Sequence, residues 1–392
     1  MSRRFFSITQ FFIILLLFSG CKSEGRHQKN HAVADEAACI DFAHPVTIEY
    51  AKGFEVENYS DYKIVRIFHP DTGETIDTFV LYLRGHQKPK CDEEITNYIA
   101  VPLEKIITTS TVQVGAFTLL DAEESIIGAT SLDFTNSKKI HERAEKGLVK
   151  EVGKGMSHNM ELILSLQPDA LFVDYTRTAE EAEKYKDAGI PLIIFNSWKD
   201  QSLLGRAEWI KLIALLVGKN QKAEELFQKI SSDYHEVKNL VAEEKDTISI
   251  MYGQDYKGVW YVPGEYSYVS EMFRDAKLSF DYIPNQVTSE PRNFELIFNS
   301  RRHAMFWLCT MAGEMDTVEE FVSKNEHYKH FDAAKKGIIV SDRKRVNPYG
   351  GNDYWESGPY RPDLLLKDII KVTRPHLLPD YETTYWKVLT RE

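Results

Sequence analysis

Residues 169–195 read DALFVDYTRTAEEAEKYKDAGIPLIIF, and this stretch decides the fold class. Two apolar runs, Asp169–Val173 and Pro191–Phe195, flank a stretch at Ala179–Ala188 that is rich in Glu, Lys and Ala. Short apolar runs predict buried strands, and the stretch between them predicts a helix. Strand, helix and strand in this order are typical of a parallel sheet, in which ligands bind outside the carboxyl ends of the strands.

The same alternation of strands and helices occurs in two regions of the chain, 104–218 and 245–392. The strands that we predict outside the quoted stretch are Ile106–Ile107, Ser125–Gly128, Ile248–Tyr252, Val259–Val262, Ala304–Leu308 and Ile338–Val340. Ser202–Val217 predicts an amphipathic helix, and apolar residues three and four apart in 219–244 trace one face of a long helix. We therefore predict an α/β fold with two Rossmann-like lobes joined by a long connector helix.

Residues 40–103 have a different pattern and predict a β-rich N-terminal extension. Val46–Tyr50 and Tyr62–Phe68 alternate between apolar and polar residues, and Thr78–Leu83 is rich in aromatic and branched residues. Asp71–Gly73 supplies a turn between the second and third of these runs. The expectation is a meander or a set of hairpins rather than a parallel sheet.

The N-terminus is typical of an exported protein. Arg3 and Arg4 precede the apolar run Phe11–Phe18, and small residues follow before Cys21. This predicts a signal peptide over residues 1–20, and a cysteine after small residues resembles the bacterial lipobox. The resemblance implies cleavage before Cys21, lipidation of its sulfur and membrane anchoring, with 21–39 as a polar tether. The alternative is an ordinary signal peptide with a coincidental cysteine.

Composition excludes some partners and leaves the cysteines open. The net charge of −11 argues against nucleic acid, which requires a basic surface. An exported compartment permits a disulfide between Cys39 and Cys91, although free thiols are an equal alternative. Cys309 lies in an apolar run and is expected to be a buried core residue. No G-x-S-x-G or HExxH motif occurs, so we expect no enzyme, and an exported hydrolase remains only as an alternative function.

Several ordered segments carry a family resemblance. They are Lys105–Ser110, Ile126–Ala129, Val152–Gly153 with Asn159–Asp169, Asp187–Pro191, Trp260–Gly264 and Glu295–Ile297. Over residues 104–380 the sequence resembles the helical-backbone (class III) periplasmic binding proteins, which serve ABC importers of cobalamin, ferric siderophores and haem. The resemblance implies a periplasm-facing or surface lipoprotein that captures a small metal chelate between its lobes, needs no cofactor of its own and delivers the chelate to a permease dimer.

The resemblance also implies a role for two acidic residues. Glu161 and Glu295 each fall at the start of a predicted helix, one in each lobe, and would dock on arginines of the two permease subunits. The alternative is that each simply stabilises the start of its helix. Glu290 is a competing candidate in the second lobe. The extension departs from the family plan, so it would pack on the first lobe or bind a partner such as an outer-membrane receptor.

The predicted ligand groove is formed by loops after the strands, at 108–113, 133–138, 154–158, 174–177 and 196–199, with counterparts in the second lobe. Aromatic rings suit a large flat ligand, and basic groups beside them suit an anionic chelate. The candidate ligand-binding residues are Met156, Tyr175, Trp198, Tyr256, Trp260, Arg343, Tyr349 and Trp355. For any single aromatic, core packing is the competing role. The ligand is predicted to be a ferric siderophore or cobalamin, with haem ranked behind them, and a directly bound divalent metal is the alternative.

Overall fold

The computed structural model describes residues 42, 44–91, 95–155, 157–174, 179–310, 313 and 315–392. The predicted signal peptide, the lipidation site Cys21 and the tether with Cys39 lie outside the described residues. Within the described ranges, no helix combines the length and apolar character that a bilayer crossing requires.

The N-terminal extension contains a four-stranded sheet in sequence order. Its strands are β1 (Phe54–Asn58), β2 (Tyr62–Phe68), β3 (Thr75–Leu83) and β4 (Tyr98–Val101). The first three are antiparallel, as the predicted meander requires. The fourth runs parallel to β3, in a register that pairs Val80 with Tyr98 and Leu83 with Val101. The expectation that no parallel pairing occurs here is therefore wrong for the last strand.

The strand predicted at Val46–Tyr50 does not form. The backbone N–H groups of residues 49–51 instead donate to the carboxylate of Glu208, at 2.7 to 3.1 Å. Glu208 is fully buried, and Lys211 Nζ lies 3.1 Å from it. Because the carboxylate satisfies these backbone donors, the segment needs no neighbouring strand.

The extension packs on the first lobe rather than standing apart from it. Apolar residues of the extension and of the first lobe share one core. The ring of Phe54 lies 4.9 Å from that of Trp209, whose indole N–H donates to Asp200 at 3.1 Å. A Cβ on Gly53 would lie only 2.4 Å from the Trp209 ring, so the backbone approaches the indole directly. Packing on the first lobe, one of the two roles expected for the extension, is therefore confirmed, and binding of a partner such as an outer-membrane receptor stays a prediction.

The first lobe is a six-stranded sheet with the strand order β10-β9-β5-β6-β7-β8, in which only β7 and β8 are antiparallel. Its elements are β5 (Ile106–Thr108), α1 (Thr111–Leu119), β6 (Ile126–Thr130), α2 (Lys138–Glu145), β7 (Lys150–Lys154), β8 (Ser157–His158), α3 (Met160–Leu166), β9 (Ala170–Val173), α4 (Ala179–Asp187) and β10 (Leu192–Ile194). The sequence-predicted strand, helix and strand are β9, α4 and β10. The strand order reverses beside β5, which places a crevice at its carboxyl end.

Three helices lead from the first lobe to the second: α5 (Leu203–Glu208), α6 (Ile210–Val217) and α7 (Asn220–Leu240). The predicted single amphipathic helix at Ser202–Val217 is wrong. It is two helices that meet at Trp209, and both are buried on all sides: α6 lies in the core that the first lobe shares with the extension, whereas Leu203 and Leu204 of α5 belong to the second-lobe core. The predicted connector is α7, and its 21 residues span about 32 Å at about 1.5 Å each.

The second lobe is a five-stranded sheet in the order β14-β11-β16-β17-β18, parallel except at β18, with a separate antiparallel sheet β12-β13-β15. Its elements are β11 (Ile248–Tyr252), β12 (Asp255–Tyr256), β13 (Val259–Val262), α8 (Tyr268–Asp275), β14 (Leu278–Ser279), β15 (Glu290–Arg292), α9 (Phe294–Arg301), β16 (Phe306–Cys309), α10 (Val318–Ser323), α11 (Asp332–Lys336), β17 (Ile338–Ser341), α12 (Asp353–Glu356), α13 (Pro362–Thr373) and β18 (Lys387–Val388). Cys309 is a buried core residue, as predicted.

Removal of the Glu208 carboxylate tests how the extension is held. Glu208→Ala leaves three backbone donors without their acceptor and removes one of the two carboxylates beside the buried Lys211 ammonium, so the free energy of unfolding should fall by about 3 kcal/mol or more in urea titrations. Glu224→Ala is the matched control, because Glu224 also lies 3.1 Å from Lys211 but is well exposed, and it should cost less than about 1 kcal/mol. Equal losses in the two variants would contradict this assignment.

Candidate ligand groove between the lobes

A cavity of about 610 Å³ lies between the two lobes. In the first lobe it lies at the carboxyl ends of β5, β6 and β7, and in the second it is lined by the loops after β16 and β17. These are the positions at which parallel sheets place ligand sites. Of the predicted groove loops, those at 108–113, 133–138 and 154–158 contribute, whereas 196–199 does not.

The first-lobe wall consists mainly of hydroxyl side chains. The residues that line it are Thr109, Ser110, Thr111, Thr130, Ser131, Phe134 and Gly155. Their positions are fixed by the backbone: Thr130 Oγ1 donates to Thr109 O at 2.9 Å, and Ser131 Oγ accepts from Gly155 N at 2.8 Å. Phe134 adds an apolar face and is 65% exposed. The wall offers neutral donors and acceptors beside one aromatic ring.

The second-lobe wall carries the charge of the groove. Arg343 lies two residues after the end of β17, is half-buried, and forms no ion pair with a carboxylate among the residues that the structure describes. Trp355 stands beside it, held edge-on against Tyr354 at 4.9 Å. Asn352 caps α12 by accepting from Tyr354 N at 3.1 Å. A guanidinium that is not engaged by a carboxylate can bind a planar anionic group through two hydrogen bonds.

A network of polar contacts joins the lobes beside the groove. The carboxylate of Glu356, in α12, is buried and accepts from the backbone N–H groups of Asn136 and Ser137 in the first lobe, the latter at 2.8 Å. Asn347 of the second lobe donates to Thr135 O at 2.8 Å. Burial raises the pKa of Glu356 to about 8, although the two N–H donors act in the opposite direction.

Two of the predicted ligand-binding residues, Arg343 and Trp355, line the groove. Trp260 does not, because it is buried in the second-lobe core, where its ring lies 5.9 Å from that of Trp307 and its N–H donates to Tyr252 O. For Trp260 the competing role of core packing is the correct one. Met156 and Tyr175 lie outside the described residues.

The other three predicted aromatics lie at the surface away from the groove. Tyr256 faces outward on the small sheet, and Lys257 lies over its ring. Trp198 follows β10, three strands away from β6, with Lys199 over its ring. Tyr349 stacks on His141 of the first lobe instead of facing the cavity. Aromatic content alone does not identify the residues that line the groove. Small hydroxyl residues directly after strands would have identified the first-lobe wall.

The remaining predictions on side chains have mixed outcomes. Cys91 is half-buried, and its predicted pairing with Cys39 stays a prediction because Cys39 lies outside the described residues. Within the described ranges, no three His, Cys, Asp or Glu side chains are grouped so as to hold one metal ion.

Glu161 and Glu295 are exposed in the first turns of α3 and α9, one on each lobe. The competing candidate, Glu290, lies 3.3 Å from Arg292 and is therefore already paired. This placement is compatible with docking on a partner, which stays a prediction.

The family model described as "Periplasmic binding protein" matches residues 106–346. The chain belongs to this family. Its members bind substrates and are not enzymes, and they act outside the cytoplasm with ABC permeases. The protein is also similar to an uncharacterized lipoprotein of Methanocaldococcus jannaschii, with 25% identity over 387 residues and 93% of each chain covered. It is 26% identical over 198 residues to the iron-uptake system-binding protein of Bacillus subtilis, covering 49% of this chain and 57% of that one.

Solved structures share the fold. The triscatecholate siderophore-binding protein of Bacillus subtilis, complexed with ferri-bacillibactin, matches with a TM-score of 0.53 and 20% identity, covering 73% of this chain and 98% of that one. The molybdate-binding protein of Haemophilus influenzae matches with a TM-score of 0.57 and 16% identity, covering 73% of this chain and 90% of that one. Both confirm the predicted fold of two lobes.

The raised pKa of Glu356 predicts a pH dependence of stability. The folded protein holds the proton of the Glu356 carboxyl more tightly than the unfolded chain does, where the pKa of this carboxyl has its ordinary value of 4.5. The contribution to stability is therefore complete below about pH 4 and is lost as pH rises through about 8. Relative to Glu356→Gln, the wild type should lose at most about 1.4 kcal/mol per pH unit between these values in urea titrations. Parallel pH profiles for the two proteins would contradict a raised pKa.

Proposed function

We propose that this periplasmic binding protein is a lipid-anchored receptor that captures an anionic metal chelate and delivers it to an ABC permease. A ferric siderophore is the preferred candidate for this chelate, ahead of cobalamin or haem. The observation that carries the proposal is Arg343, a half-buried cation without a carboxylate partner among the described residues, which faces a groove between two lobes.

The chemistry of the walls fits such a ligand. Phe134 and Trp355 offer rigid apolar faces, and the hydroxyls of the first wall can donate to or accept from oxygen atoms at the rim of a chelate. Arg343 would bind its negative charge, as guanidinium groups bind carboxylate and other planar oxyanions. The cavity of about 610 Å³ matches the size of ordinary small-molecule sites, about 300–1,000 Å³.

Two of the similar proteins are compatible with an iron chelate as the ligand. The sequence relative from Bacillus subtilis is named for iron uptake, and one structural neighbour holds a ferric triscatecholate. Lipid anchoring is supported by the sequence around Cys21 and by the lipoprotein relative. The anchor would keep the loaded protein near its permease.

To deliver the ligand, each lobe would contact one subunit of the permease. Glu161 and Glu295 would each meet an arginine of one permease subunit, and charge-assisted pairs of this kind fix the register of two proteins. Because α7 is embedded in the cores of both lobes, closure around the ligand would be small.

Titration of the purified protein with ferric triscatecholate, ferric trihydroxamate, cobalamin and haem tests the ligand class. A saturable change in visible absorbance and in tryptophan fluorescence is expected with a ferric chelate. Arg343→Gln should weaken binding by about 10- to 100-fold, because a hydrogen bond to a charged group contributes about 1.5–3 kcal/mol. Arg302→Gln, which changes an exposed arginine outside the groove, should bind as the wild type does. Saturable binding that Arg343→Gln leaves unchanged would contradict the proposal.

Charge reversal tests docking separately from capture. The double variant Glu161→Lys and Glu295→Lys should reduce cellular uptake of the chelate identified by titration at least tenfold, because repulsion replaces both docking contacts. Its affinity for that chelate should be unchanged, since neither residue lines the groove. Glu319→Lys, at another exposed helix start, serves as the control for net charge. Normal uptake by the double variant, or a loss of affinity, would overturn this division of roles.

A further inference from the structure

The second lobe sends one segment, residues 345–356, across to the first lobe at one end of the groove. Asn347 Nδ2 donates to Thr135 O at 2.8 Å and to Asn136 O at 3.2 Å. In return, Asn136 Nδ2 donates to Gly351 O at 2.9 Å. Together with the two N–H groups that Glu356 accepts, these bonds link consecutive residues of one lobe to both ends of the segment.

We propose that residues 345–356 form an inter-lobe latch with residues 134–137 and His141, and that Glu356 is the positioning residue that sets the width of the groove at that end. The latch would restrain the lobes on the side of the groove, as α7 does elsewhere. The inference rests on the proposed function only in taking the groove as the ligand site.

The backbones of the two lobes are in direct contact at the latch. A Cβ on Gly351 would lie 2.3 Å from Thr135 O, and one on Gly115 would lie 2.0 Å from Glu356 O. Real Cβ atoms do not approach so closely, so both glycines allow backbone contact between the lobes at positions where any larger residue would separate them.

An aromatic pair covers the outer side of the latch. The Tyr349 ring stacks on His141 with centroids 4.0 Å apart and an angle of 12°, and the Tyr349 hydroxyl donates to Glu145 at 3.2 Å. His141 is itself fixed, because its Nε2 lies 2.8 Å from Thr135 O. Tyr349, predicted as a ligand contact, therefore joins the lobes instead.

The latch and the groove share their chain segments. Phe134, which lines the groove, directly precedes the latched residues 135–137, and Trp355 directly precedes Glu356. Any separation at the latch would move both aromatic faces apart. The width available to a ligand at this end is therefore set by protein–protein contacts before the ligand arrives.

Glu356 is well placed to hold this geometry, since its buried carboxylate accepts from two consecutive backbone N–H groups of the other lobe, and Asn347 is the half-buried residue that bonds the carbonyls beside them. The nearest acidic groups each have a cationic partner of their own, Asp353 with Arg345 at 3.0 Å and Glu123 with Lys139 at 3.5 Å, although both still raise the pKa of Glu356. Its carboxylate is thus directed at the first lobe without competition from a cationic side chain of its own segment.

Hydrogen exchange of the ligand-free protein tests the latch without any assumption about the ligand. In Glu356→Gln and Asn347→Ala, amides of residues 135–137 should exchange at least tenfold faster than in the wild type, while those of α7 and β9 keep their protection. Tyr349→Phe should behave as the wild type because the stacked ring remains, and Tyr349→Ala should accelerate exchange. Glu142→Ala, on the same helix as His141 but paired only with Lys138, is the matched control.

A ligand arm then links the latch to the groove. With ferric triscatecholate as the probe, Glu356→Gln should raise the dissociation rate at least tenfold with unchanged stoichiometry, whereas Glu142→Ala should leave it unchanged. If no chelate binds the wild type, the proposed function fails while the exchange result still stands. Unchanged exchange at residues 135–137 would overturn the latch, and so would an equal loss of protection throughout α7, since Glu356 would then support the whole fold.

Discussion

The fold depends on one helix that is buried in two cores at once. Ala223, near the start of α7, belongs to the core shared by the first lobe and the extension, whereas Ile230, Tyr234 and Val237 belong to the core of the second lobe. Helix α13 packs along it from the second lobe. Because its apolar face is committed to both sides, α7 cannot rotate or slide without exposing apolar surface in one core, at about 25 cal/mol per Å². The distance between the two sheets follows from this constraint.

The sequence was sufficient for what depends on local pattern and insufficient for what depends on distant charges. The run at 169–195 predicted β9, α4 and β10 because apolar spacing reports strands and helices directly. Val46–Tyr50 alternates between apolar and polar residues, as a strand does. It forms no strand because a carboxylate about 160 residues later in the chain accepts hydrogen bonds from the backbone N–H groups of this segment. No local pattern encodes that pairing. The fourth strand of the extension was missed for a related reason, since its direction depends on the path of residues 84–97.

The sequence predicted the location of the candidate groove better than the identity of the side chains that line it. Strand ends located the loops around 108–113 and 133–138, because parallel sheets gather their carboxyl ends on one edge. Trp260 and Trp355 look alike in sequence, since each adjoins a tyrosine and lies near glycines. One fills a core between strands and the other lines the groove, and only the packing of β13 on the second-lobe core separates them. Burial depends on which face of an element meets the core, and a single short strand does not reveal that face.

Charge arrangement within one loop gives the clearest sign of what the groove accepts. Arg345 lies two residues beyond Arg343 and pairs with Asp353 at 3.0 Å, and Arg361 pairs with Asp363 at 2.7 Å. Arg343 has no such carboxylate among the described residues, although it is half-buried and faces hydroxyl and aromatic side chains. A cation that loses hydration without gaining a partner costs free energy in the empty protein. An anionic ligand supplies the missing partner and relieves this cost. The relief adds to the free energy of binding only when the bound group carries negative charge. Under the proposed function, the groove would therefore bind neutral compounds of equal size less tightly than anionic ones.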